Sequence, residues 1–139
     1  MSSGLYTILK TNLMNKLVNL GSSGDTFYVG LLSATPTFTA TQTTWAQLIG
    51  VTPEITGTGY TTNGVALTGQ SVSTVGTTAV WSASTAQWTS ASFTAYGAAI
   101  YDSTVSNNLL VLMDFGGALT VSSGTFAIIW SGSGIIILS

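Results

Sequence analysis

Six side chains in this chain of 139 residues carry charge: Lys10, Lys16, Asp25, Glu54, Asp102 and Asp114. Any acid–base chemistry has to be built from them. Asp102 and Asp114 each close an apolar run, so their carboxyls could face each other near strand ends in the manner of a glycosidase pair. The plainer reading, which we expect, is a turn aspartate and a solvated strand-end aspartate. Lys10 and Lys16 stand six positions apart on a helical stripe and point to different sides, so they form no cationic cluster. Histidine and cysteine are absent, which excludes zinc centres, the serine and cysteine hydrolase triads in their common forms, thiol redox work and disulfides. No DxDxD-like run offers calcium ligands. Gly57, Gly59 and Gly64 are not a phosphate loop, because short strands rather than a helix follow them. We therefore expect no enzyme, no catalytic residue, no cofactor and no metal.

Charged residues make up 4% of the chain, against about a quarter in ordinary globular proteins. Serine, threonine, asparagine and glutamine must supply the surface. With a formal net charge of −2, self-repulsion is weak and association is favoured. Both cations lie in the first sixteen positions, so phosphate neutralisation has no source and nucleic-acid binding is not expected. Lys10, Asn12, Asn15 and Lys16 interrupt any secretory apolar core, and no apolar run is long enough for a spanning helix. The expectation is a protein assembled in the cytoplasm that contacts no membrane.

Leu5, Ile8, Leu9, Leu13, Leu17 and Leu20 recur at three- and four-residue spacings, which predicts an amphipathic helix over residues 1–21 with Ser2 or Ser3 as N-cap and Gly21 as the stop. Its apolar face packs on a sheet or docks on a partner chain. Residues 26–32 have the aromatic and β-branched content of a central strand. Residues 33–53 are threonine-rich and irregular, with Pro36 and Pro53 as breakers and a helical turn at 44–49. Trp45, Leu48 and Ile49 there are either a lid over the core or an exposed arm that touches a neighbour. The partner-interface candidates are accordingly Leu5, Ile8, Leu9, Trp45, Leu48 and Ile49.

Turn-dense residues 54–64 lead to short strands at 65–68, 71–75 and 78–81. Four more follow, at 93–101, 109–115, 124–130 and 134–138. Strand 93–101 carries apolar bulk on both faces, so it is a central strand covered on both sides. The predicted fold is all-β: an antiparallel β-sandwich, jelly-roll or Ig-like, of about eight strands with one N-terminal amphipathic α-helix. Residues 1–139 form a single domain, with the sandwich over 26–139. The expected core contains Tyr96, Ile100, Val111, Met113, Phe126, Ile128 and Trp130, with Trp81 and Trp88 as further candidates.

The segment Glu54-Ile55-Thr56-Gly57-Thr58-Gly59-Tyr60 with Gly64 and Leu67-Thr68-Gly69 is followed by Ala98-Ala99-Ile100-Tyr101-Asp102 and Met113-Asp114-Phe115-Gly116. The chain closes with a Gly124-Thr125-Phe126-Ala127-Ile128-Ile129-Trp130 strand and Gly134-Ile135. In order and spacing, over residues 54–138, these motifs resemble a family of small tailed-bacteriophage virion proteins. The Ser/Thr surface departs from that family's more charged members. The resemblance implies a structural role on the particle, as a capsid decoration or cement protein contacting major capsid subunits on the virion surface. It carries over no catalytic residue. A homo-oligomer is expected, a trimer before a dimer, because capsid lattices offer threefold positions. The alternatives are a tail or fibre-tip subunit and a carbohydrate-binding module stacking sugars on Trp45, Tyr60 or Trp88.

Overall fold

A computed structural model describes residues 3–139. Its elements in chain order are β1 (Gly4–Leu5), α1 (Thr7–Met14), β2 (Phe27–Leu32), α2 (Trp45–Ile49), β3 (Val65–Ala66), β4 (Ser71–Val75), β5 (Thr78–Ser82), β6 (Ala86–Asp102), β7 (Asn108–Ile128) and β8 (Ile136–Leu138). The fold is all-β and antiparallel, with five strands in the order β1-β7-β6-β2-β3 and a second sheet of three in the order β4-β5-β8.

The predicted strands 109–115 and 124–130 are one strand. β7 continues through Gly116 and Gly117 because those glycines adopt φ of 79° and 152°, which lets the chain bulge without breaking its ladder. Ala95 pairs with Leu119 and Gly97 with Asp114, so Tyr96 alone stands opposite residues 115–118. Further register shifts near Trp88, Ala91 and Ile100 bend the long β6–β7 hairpin.

Period-two alternation builds a core on each face of the five-stranded sheet. Phe27, Val29 and Leu31 of β2 share one face with Ala98 and Ile100, and on that side they meet Leu9, Trp81, Ile136 and the far half of the hairpin. Leu32, Ala99, Tyr101, Leu109 and Leu112 form the other, which Tyr6, Trp45 and Leu48 cover. Residues 97–102 are all buried, as expected for a strand covered on both sides. Gly30 is small so that Trp45 can lie on it: a Cβ there would fall 2.3 Å from the indole.

The N-terminal helix is shorter than its leucine stripe. Leu5 belongs to β1, opposite Val111, and Tyr6 rather than Ser3 holds the N-cap position, with no side-chain cap; Ser2 lies outside the described residues. At the other end Lys16 adopts φ 65°. Its amide bonds to Leu13 O at 3.2 Å, and the Leu17 amide to Asn12 O at 2.9 Å. These are the two bonds of a Schellman stop, usually made around a glycine. The helix therefore ends well before Gly21, and Leu17 is exposed.

Ile100, Val111 and Phe126 are buried as expected, and so are Trp81 and Trp88. Tyr96, Met113, Ile128 and Trp130 are only half-buried. Trp130 lies near the chain's end, where its indole N–H donates to Ser84 O at 2.9 Å and its ring packs against the margin of the core.

Candidate functional site

The chemistry-bearing residues are occupied in holding the fold. Glu54 reaches under the turn that follows it, where one carboxylate oxygen accepts from Tyr60 OH at 2.5 Å and from the Asn63 amide at 2.6 Å. Tyr60 OH in turn receives the Leu31 amide at 3.1 Å. Asn63 completes the network: Oδ1 accepts from the Trp45 indole N–H at 3.3 Å, and its backbone carbonyl accepts from Tyr101 OH at 2.6 Å. Burial and the adjoining Glu54 charge push the hydroxyls of Tyr60 and Tyr101 far above their ordinary range, so both remain neutral donors. Gly64 ends the segment at φ 88°, where a Cβ would fall 1.9 Å from Val29 O. Only glycine fits.

Asp102 and Asp114 do not face each other. Asp102 pairs across the ladder with Asn108, whereas Asp114 pairs with Gly97, five positions along β6. Asp114 is buried, its Oδ1 accepting from the Gly116 amide at 2.8 Å inside the bulge. Asp114, the expected strand-end aspartate, is thus buried rather than solvated, and Asp102, the expected turn aspartate, is fully buried. The Asp102 Oδ1 accepts from the amides of Thr104 and Val105 at 2.9 and 3.3 Å, while Oδ2 is buried with no hydrogen-bond partner among the described residues. Burial pushes the Asp102 carboxyl up to about 7; the nearby Asp25 carboxyl adds to the shift, and the two amides oppose it. This proximity spans 77 positions, so no local sequence pattern signals it.

The six interface candidates separate by burial. Leu9, Trp45 and Leu48 lie within the two cores, so the arm at 33–53 is a lid and its aromatic anchor is not offered to a neighbour. Leu5, Ile8 and Ile49 are half-buried against those cores. No one patch gathers all six. The aromatic platforms considered for sugars are likewise engaged: Trp45 and Trp88 are buried, and half-buried Tyr60 stacks on Trp88 and meets Phe93 edge-on.

The open surface lies elsewhere. Every residue of β4 is exposed, and around it Val72, Val75, Ile137 and Leu138 stand about half or more in solvent. β4 pairs with β5 on one side and leaves its other edge unpaired. A groove of about 420 Å³ runs along the outer face of this sheet between Val75, Val80 and Ile137. The strand pattern that creates this surface, Ser-Val-Ser-Thr-Val, was visible in the sequence; its exposure on both faces was not. Among the described residues no group of three or more acidic side chains could hold a metal, and no helix is long and apolar enough to cross a membrane. No protein-family model, curated protein or solved structure matches the chain.

Proposed function

We propose that the chain is a non-catalytic structural subunit of a tailed-phage virion, a capsid decoration or cement protein that contacts major capsid subunits and itself as a homo-oligomer. The observation that carries this reading is the β4-β5-β8 sheet. It presents exposed valine, isoleucine and leucine beside an unpaired strand edge, on a chain with six charges. Natural proteins blunt such edges with lysine, proline or bulges. β4 carries none of these, so it suits a partner that adds a strand or covers the apolar face. The virion motifs support the same reading from the fold side: Glu54, Gly64 and Asp114 hold turns and bulges, which are scaffold tasks.

The test is add-back. Purified protein mixed with particles stripped of it should re-bind and appear as ordered density on the head. The variant Val75→Ser, at a largely exposed position on the outer face of the small sheet, should keep its melting midpoint and lose most of that binding. Density confined to the tail would make this a tail or fibre-tip subunit. Full binding by the variant would remove the β4 surface from the argument.

A further inference from the structure

A second surface, on the opposite face of the five-stranded sheet, has the chemistry of a small-molecule site. Trp45 stacks on Tyr101 at 5.0 Å between ring centroids, and Tyr101 stacks on Tyr28 at 5.8 Å, with interplanar angles of 16° and 17°. The ladder runs outward: Trp45 and Tyr101 are buried, Tyr28 is half-buried. One face of Tyr28 rests on Tyr101, and among the described residues no other ring covers the second. Beside it opens a cleft of about 400 Å³, walled by Thr61, Thr62, Asn63, Ser103 and Asn107.

In this wall the Asn63 side chain and the Asn107 backbone are held in place, and the side chains of Thr61, Thr62 and Asn107 are exposed and unspent. Asn63 and Asn107 both have left-handed backbones, with φ of 75° and 54°, and both are tied to Trp45. Its indole N–H donates to Asn63 Oδ1, and its backbone N–H to Asn107 O at 2.9 Å. That leaves Asn63 Nδ2, the Asn107 side-chain amide, Tyr28 OH and the hydroxyls of Thr61 and Thr62 with no partner among the described residues. The Asn63 side-chain amide, fixed before a ligand arrives, loses little entropy when it binds one. No charged side chain lines the cleft, and Glu54 lies behind it, bonded to the Asn63 amide, which disfavours anions.

An aromatic face beside several neutral donors and acceptors matches one ligand chemistry well: a ring with an apolar C–H face and a rim of hydroxyls. We propose that this cleft binds a neutral glycan, with one sugar ring on the free face of Tyr28 and its hydroxyls bonded to Asn63 Nδ2 and the Asn107 side chain. The site uses none of the β4 surface and holds whether or not the virion reading does.

The test is a titration of the ¹⁵N-labelled full chain with maltotriose, cellotriose and chitotriose, each to about 20 mM because a site this open binds in the millimolar range. Sialyllactose serves as the anionic control and choline as the cationic one. At least one neutral trisaccharide should shift the side-chain amide resonances of Asn63 and Asn107 saturably, and the controls should not. Tyr28→Ala should abolish the shifts but also loosens the second core, so Asn107→Gly is the decisive variant. Glycine keeps the left-handed backbone and removes only the amide. It should weaken binding at least about fivefold at an unchanged melting midpoint. Silence from all three neutral sugars, equal shifts with either control, or wild-type binding by Asn107→Gly would each overturn the proposal.

Discussion

β2 and β6 in the large sheet and β4 and β5 in the small one share residue types, valine, threonine, alanine, serine and tryptophan among them, and yet they meet opposite surroundings. Along β2 and the inner half of β6 both faces are closed, one by the far half of the hairpin and the small sheet, the other by Tyr6, Trp45 and Leu48. Along β4 every residue is exposed; in the small sheet only Trp81 and Ile136 are buried. β-propensity therefore does not separate a core strand from a surface strand. What separates them is whether the chain supplies a cover, and here residues 33–53 are spent on the large sheet. The small sheet is left with Val75 and Ile137 exposed on its outer face.

The sharpest way to break this comparison is to remove the cover. Trp45→Ala deletes a ring that lies on Gly30, stacks on Tyr101 and holds Asn63, and should cost about 3–5 kcal/mol. Val75→Ala on the small sheet should change stability by no more than about 0.5 kcal/mol. Urea unfolding of both variants measures the difference. A loss below about 1 kcal/mol for Trp45→Ala would mean that the arm is loosely held, and the two sheets would then differ far less than their burial suggests.

The all-β architecture, the positions of β2, β4 and β5 and the two-sided burial of β6 were legible in the sequence because each rests on local alternation and turn residues. Other features depend on partners far along the chain. β1 is two residues long and exists only because β7 lies beside it. The fusion of two expected strands into β7 turns on glycines 116 and 117, which read as a turn when β6 is out of view. The leucine stripe continued past Met14 while the helix did not, since a lysine took the left-handed position normally signalled by glycine. At the sites, the Glu54 motif was legible as a unit but its task was not: Asn63 and Trp45 complete it from either side. Tyr28 gave no signal of its own, because a tyrosine in a strand is ordinary until the cleft beside it is seen.

The two sheets also predict different responses to pH. Asp102 ends β6 in the large sheet, and Asp25 is the charged group that acts on it, whereas β4, β5 and β8 contain no titratable side chain. The folded state raises the Asp102 carboxyl to about 7 from an unfolded value near 3.9. Between those values the folded chain binds more protons than the unfolded one, so stability falls as pH rises through that window and levels above it. The melting midpoint should thus be higher at pH 4.5 than at pH 7.5. Asp102→Asn keeps an acceptor for Thr104 and Val105 and gives Asp25 a neutral partner, so it should flatten the profile. A wild-type profile that is already flat, or that rises with pH, would mean that the folded state does not raise the Asp102 carboxyl.

The smallest effect is expected at the end of α1, where the covering layer begins. Lys16 is held at φ 65°, a conformation that costs a residue with a Cβ about 1 kcal/mol or more relative to glycine. Its side chain is exposed and forms no ion pair or hydrogen bond among the described residues, so truncating it removes no contact. Lys16→Gly should relieve the backbone strain while making the unfolded chain more flexible, and these terms oppose each other. Relief should win by a margin of about 0.5 kcal/mol, because the Schellman bonds from residues 16 and 17 fix the left-handed geometry whatever the side chain. Lys16→Ala removes the same side chain but retains the Cβ, so it should not gain this stability. If both variants unfold at the wild-type urea midpoint, the helix end is not strained; if both gain equally, the benefit comes from losing the charge rather than from the backbone.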